Sequence, residues 1–251
     1  EDGKSGAFEI KLPDDIKSGT FDLYGEYGGG GLLESDPTLA ILPANAGEAG
    51  LLSSIEGRKD VMLSFATTDI EVENPTAKVD FKHLGSLFCI TLKNTGDTTL
   101  ENLTETRLVS ETSNWAYNND GGGLNYDLLT GTFTNTETSG NYISLKASQN
   151  SVGSGRLVTF WGWYPPLPDV VWPELALELR GTEGEILLTS SNTKPERTVP
   201  TDTGKSYYFY ATYNGTTVQF TDEFIPEPDP YNMKVFAKNG QLAGTAALNA
   251  E

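Results

Sequence analysis

The sequence predicts an all-β protein. Three observations carry that expectation: a two-residue alternation of apolar and polar side chains recurs from end to end; Asn-Gly pairs join two couples of such segments; and 27 Gly with 13 Pro punctuate the chain while helix-period runs are few. Many short strands separated by turn signals describe a β-sandwich or barrel.

Taken in order, Phe8–Leu12 alternates apolar and charged residues. Thr20–Tyr27 sets Phe21, Leu23, Gly25 and Tyr27 against Asp22, Tyr24 and Glu26, and Gly28–Gly31 breaks the pattern. The run 45–57 offers the one short helix. Asp60–Ala66 places Val61, Leu63 and Phe65 on one face. Pro75, within 74–77, stops a ladder between two strand-like regions and reads as a boundary. Val79–Leu92, Leu100–Val109, Tyr142–Ala147 and Leu157–Tyr164 follow as strands. Glu174–Arg180 turns through Gly181–Gly184 into Glu185–Thr189, and Tyr207–Tyr213 turns at Asn214-Gly215 into Thr216–Phe220.

The expected organisation is an N-terminal sandwich over 1–77, a C-terminal sandwich over 78–222, and a tail over 223–251. The tail opens on the Pro-rich hinge EFIPEPDP, and proline stiffens and extends a chain. Tyr231, Met233, Val235 and Ala237 then alternate with polar or larger neighbours, Asn239-Gly240 turns, and Gln241–Leu248 returns. Such a hairpin caps its own domain or lends a strand to another molecule. Tyr231, Met233, Val235, Ala237 and Leu242 are the candidate contact residues of a lent strand. Each fully buried side chain of that size contributes roughly 1.5–3 kcal/mol.

The chain has 251 residues and a formal net charge of −18. That charge repels phosphate backbones, so nucleic-acid binding is disfavoured. No run of about 18 apolar residues occurs, so no helical membrane span is expected. Cys89 is the sole cysteine and His83 the sole histidine. Cys89 lies in the apolar run Leu87–Ile90 and reads as a buried hydrophobe. Six residues of strand put it about 20 Å from His83, beyond any Cys-His pairing. With one residue of each kind, neither a zinc site nor a histidine-based triad assembles readily. Asn118-Asn119-Asp120 and Glu223, Glu227 and Asp229 offer oxygen ligands, but not at EF-hand spacing, and read as solvated loops. No metal, cofactor or catalytic residue is assigned, and no enzymatic activity is expected. Trp161 and Trp163 share a strand face and are expected in the core. Trp115 and Tyr117, in a loop rich in Asn and Gly, are the candidates for exposed contact. They support an alternative in which the chain is a carbohydrate-binding surface lipoprotein. Asp97-Thr98-Thr99 fits a short pattern associated with O-glycosylation in Bacteroidetes, a permissive one.

Asp60–Leu92 resembles the fimbrillin-like proteins of Bacteroidetes, the subunits of type V pili. Asp60–Ala66 is similar to the strand that ends their N-terminal domain. After a linker, Phe81-Lys82-His83-Leu84 matches their Phe-x-His opening. The aromatic strand Phe160–Pro165 and the late strand Gly204–Phe209 are similar too, in the same order. The resemblance implies two transthyretin-like β-sandwich domains in tandem with a C-terminal tail. It implies export to the cell surface as an outer-membrane lipoprotein, and removal of an N-terminal strand by a trypsin-like protease. A C-terminal strand of a neighbouring subunit then fills the vacated groove. Lys4, Lys11, Lys17 and Arg58 are the first basic residues open to such a cut. The implied partners are other pilus subunits and a host glycan or protein. The expected function is a structural subunit or adhesin of a surface pilus that assembles by strand exchange.

Overall fold

The computed structural model describes residues 7, 9–41, 61–117, 125–134, 139–167, 169–226, 233–236 and 242–246. The helix expected within 45–57 and the loop residues Asn118–Asp120 lie outside them. Among the described residues the fold is all β, with no helix. Among the described residues no helix is long and apolar enough to cross a membrane, a statement that leaves β-barrels aside.

Two sheets form the N-terminal half. In the first, β1 (Thr20–Tyr27) pairs antiparallel with β4 (Leu63–Glu71), whose other side holds β5 (Lys82–His83). In the second, β2 (Leu32–Leu33) pairs with β3 (Asp36–Ile41), and β3 pairs with β9 (Asn125–Asp127), which pairs with β10 (Thr132–Thr134). Tyr24 from the first sheet and Ala40, Tyr126 and Phe133 from the second belong to one apolar cluster around Met62, which Trp163 also joins, so the two sheets sandwich a core shared with a later strand. The stretch 9–19 before β1 is not a strand, against the expectation for Phe8–Leu12. It is mostly exposed and has no sheet to pack on, so alternation alone did not make a ladder.

The expected domains 1–77 and 78–222 share this sandwich, because β9 and β10 come from beyond the boundary. Residues 74–81 carry no strand between β4 and β5.

The C-terminal half is one eight-stranded sheet. Its order is β15 (Ile186–Thr189), β14 (Ala176–Arg180), β7 (Glu105–Val109), β12 (Tyr142–Ala147), β13 (Leu157–Tyr164), β6 (Ser86–Asn94), β16 (Ser206–Tyr213) and β17 (Val218–Thr221). All neighbours are antiparallel except β6 and β16, which run parallel. A parallel Ser190–Val218 bridge links the two ends and nearly closes the sheet into a barrel. Inside lie Phe88, Ile90, Leu92, Leu108, Ile143, Leu145, Val158, Phe160, Leu177 and Phe209. A short pair, β8 (Ala116–Tyr117) with β11 (Ser139–Gly140), flanks it.

The near-continuous apolar run of β6 has a physical reason: both its faces are covered, as in a strand buried on two sides. Phe88, Ile90 and Leu92 face the barrel interior, while Leu87 and Cys89 face outward against Val61. Alternation on β13 does the same. Val158 and Phe160 point in, and Trp161 and Trp163 point out, under the N-terminal half. Both tryptophans are core, as expected, yet the core they join lies between the halves. Gly85 makes the bend between β5 and β6. A Cβ there would stand 2.4 Å from the Trp163 ring and 2.9 Å from the Tyr164 carbonyl oxygen, so the crossing needs glycine.

Candidate functional site: the tail hairpin and the sheet edges

A strand-exchange protein needs a strand to give and an edge to receive it, so the edges decide the geometry. The tail provides β18 (Met233–Phe236) and β19 (Leu242–Ala246), paired antiparallel with Met233 opposite Ala246 and Val235 opposite Gly244. These two strands form a sheet of their own and pair with no other described strand. Met233, Val235 and Leu242 lie on this hairpin. Tyr231 and Ala237, and the Asn239-Gly240 turn, fall outside the described residues.

A tight turn sets the last barrel strand before the tail. The Asn214 side-chain oxygen accepts from the Thr216 and Thr217 N–H groups at 3.1 and 2.9 Å, and Gly215 takes φ 101°. That turn is the predicted Asn-Gly hairpin, and it aims β17 back along β16. Beyond β17, Ile225 is buried and the Phe224 ring meets Tyr210 edge-on at 5.4 Å.

The receiving edges differ between the halves. β1 is eight residues long and, among the described strands, is paired only with β4. Lys11 and Lys17 lie exposed in the coil that precedes it. On the barrel, the outer edge of β17 is occupied. The Ser191 N–H donates to the Val218 carbonyl at 2.8 Å. The Asn192 side chain accepts from the Phe220 N–H at 2.7 Å and donates to the Phe220 carbonyl at 3.0 Å. The Lys194 ammonium lies 2.7 Å from the Asp222 carboxylate and holds its pKa below the ordinary value. Alternation marks no strand at 190–194, so the sequence does not reveal this closure. The one local signal was a run of side chains, Ser-Ser-Asn-Thr, able to hydrogen-bond backbone groups.

Trp115 and Tyr117 are not exposed contacts, contrary to the sequence expectation. They are 5% and 1% exposed. The segment is tied to the barrel: the Trp115 N–H donates to the Gly140 carbonyl and its indole Nε1–H to the Asn141 carbonyl, both at 2.9 Å. The β8–β11 pairing turns both rings inward, Trp115 against Phe88 in the barrel and Tyr117 against Phe133 in the other core. Burial pushes the Tyr117 hydroxyl pKa up. A loop composition misled because the chain inside it pairs. Cys89 is buried as expected, while His83 is exposed on β5. No cluster of three metal-ligating side chains occurs among the described residues.

No protein-family model matches the chain. No curated protein matches it either. Several solved structures are similar. A proposed cell adhesion protein from Bacteroides ovatus ATCC 8483 aligns over 89% of this chain and 74% of its own, at 18% identity and TM-score 0.49. One from Bacteroides uniformis ATCC 8492 aligns over 81% and 71%, at 14% identity and TM-score 0.47. A proposed adhesin from Bacteroides thetaiotaomicron VPI-5482 aligns over 86% and 79%, at 8% identity and TM-score 0.46.

Proposed function

We propose that this chain is a structural subunit or adhesin of a cell-surface pilus, without catalytic activity, that assembles by giving its tail strand to a neighbour. The observation that carries the reading is the independent tail hairpin: β18 and β19 pair with each other and with no other described strand. The edge of β1, which has no second partner among the described strands, supports it by offering main-chain donors and acceptors to an incoming strand. The order of motifs shared with fimbrillin-like proteins supports it from the sequence side. The carbohydrate-binding alternative loses the residues on which it stood, because Trp115 and Tyr117 are buried.

The test is deletion of everything after Pro230. Truncated and full-length chains are compared by thermal unfolding and, after trypsin treatment, by electron microscopy and sedimentation. Truncation is expected to leave the unfolding transition in place and to abolish polymers. Unfolding of the C-terminal half on truncation would make the tail an ordinary structural hairpin. Polymers from the truncated chain would place the donor elsewhere.

A further inference from the structure

We infer that Asn192 is an edge guard: its carboxamide stands in for a strand against β17 and keeps a second copy of this chain from pairing there. Its consequence for assembly rests on the strand-addition reading above, whereas the seam chemistry does not.

A primary carboxamide carries the same donor and acceptor pair as a peptide group. At the seam it is used that way. The Phe220 N–H and C=O are the adjacent donor and acceptor that a neighbouring strand would take, and the Asn192 side chain takes both. Around it, Ser191 occupies the Val218 carbonyl and Lys194 the Asp222 carboxylate. The Val218 carbonyl, the Phe220 peptide groups and, just past the end of β17, the Asp222 carboxylate are thus taken by Ser191, Asn192 and Lys194 of one short strap.

The strap itself is anchored from its other side. The Ser190 N–H donates to the Leu177 carbonyl at 2.8 Å, and the Leu177 N–H donates to the Ser190 hydroxyl at 2.9 Å. Leu175 and Lys194 exchange N–H to carbonyl bonds at 2.9 and 2.8 Å. Removing only the Asn192 side chain therefore leaves the strap attached to β14 and, through the Ser191 N–H, to Val218, and bares the Phe220 groups alone. A buried or half-buried peptide group without a partner is costly, and a second β17 would satisfy it.

The guard has a directional consequence. With the barrel edge filled, strand addition is left to the N-terminal half, where β1 has a free side among the described strands. One residue then sets where on the subunit another chain can join.

The experiment uses the full chain with a Gln219→Cys reporter. Gln219 is exposed in the middle of β17, and the native Cys89 is buried. Antiparallel β17 strands from two copies bring residues near their centres within disulfide reach. Dimer formed under mild oxidation is compared for the reporter alone, the reporter with Asn192→Ala, and the reporter with Leu108→Ala, a barrel-interior change. Each is held equally far below its own unfolding midpoint. Several-fold more linked dimer is expected with Asn192→Ala than with either other protein. No excess over the reporter alone overturns the inference. Equal dimer from Leu108→Ala also overturns it, because general loosening then suffices. Asn192→Asp, which keeps the oxygen facing the Phe220 N–H and loses the donor, is read the same way if the alanine variant does not fold. A β17–β17 bond forms or fails to form independently of the tail, so this outcome and that of the truncation are separable.

Discussion

The two halves of this chain treat unpaired strand edges in opposite ways. The C-terminal sheet brings its ends together and fills the remaining seam with Ser191, Asn192 and Lys194. The N-terminal sandwich keeps β1 at the margin of a three-stranded sheet and ends its other sheet in the two- and three-residue strands β2 and β10. Short strands protect an edge by offering little to pair with. β1 is long, and its protection is of another kind: a bulge between Phe21 and Leu23, and carboxylates at Asp22 and Glu26. Closure excludes a further strand, whereas charge and irregularity only raise its cost. Among the described strands, the difference leaves β1 as the long edge with one side unpaired.

The comparison breaks most sharply at Trp163. It lies on the outer face of the barrel, 1% exposed, packed with Met62, Ala40 and Leu128 under the N-terminal sandwich. Trp163→Ala is expected to cost about 3–5 kcal/mol. Hydrogen exchange should place the largest loss of protection in β1, β3 and β4, with the interior of the barrel less affected. Leu108→Ala, inside the barrel and 0% exposed, should cost about 2–5 kcal/mol and show the reverse distribution. If both variants lose protection uniformly, the halves form one cooperative unit.

Gly85 sharpens the same contact with a smaller change. A single methyl group there meets the Trp163 ring at 2.4 Å and the Tyr164 carbonyl oxygen at 2.9 Å. The backbone oxygen gives little, so Gly85→Ala is expected to destabilise by about 1–3 kcal/mol, as overpacking does. Denaturant unfolding followed by tryptophan fluorescence checks it. An unchanged midpoint would mean that the two halves separate readily at this crossing.

How far the sequence could be read follows the same division. β1, β12 and β13 lie where alternation placed them, because each buries one face or both against a defined core. β16 and β17 were legible from Asn214-Gly215, whose turn chemistry is local. β3 was not: it contains Pro37, and it is held by β9, a strand nearly ninety residues later. Burial of Trp115 and Tyr117 was hidden for a related reason. Their loop composition is local, but the pairing of β8 with β11 that turns them inward is not. In the candidate site, the tail hairpin was visible as a periodic segment. The guard at Asn192 was invisible, since it depends on two strands meeting at a barrel seam.

The smallest expected effect contrasts the acid responses of the two halves. At the seam, the hydrogen bond and charge of Lys194 lower the Asp222 pKa. A carboxylate with a lowered folded pKa contributes stability above its unfolded value, ~3.9, and loses it as pH falls through the folded one. On β1, burial raises the Glu26 pKa, and its Oε2 has no hydrogen-bond partner among the described residues. That sign is opposite. The folded state holds the Glu26 proton more tightly, so ionisation opposes folding fully above the raised pKa, and the cost is relieved as pH falls toward the unfolded value of ~4.3. Acidification through this range should therefore weaken the seam while relaxing the β1 sheet. Unfolding midpoints between pH 3 and pH 7 measure both. Glu26→Gln is expected to raise the midpoint at pH 7 and to leave it nearly unchanged at the acid end. Asp222→Asn is expected to lower it at pH 7 only, with a smaller change because the pair is exposed to solvent. Should Glu26→Gln lower the midpoint at neutral pH, the carboxylate is stabilising where it stands, and β1 is protected by a paired charge and not by a strained one.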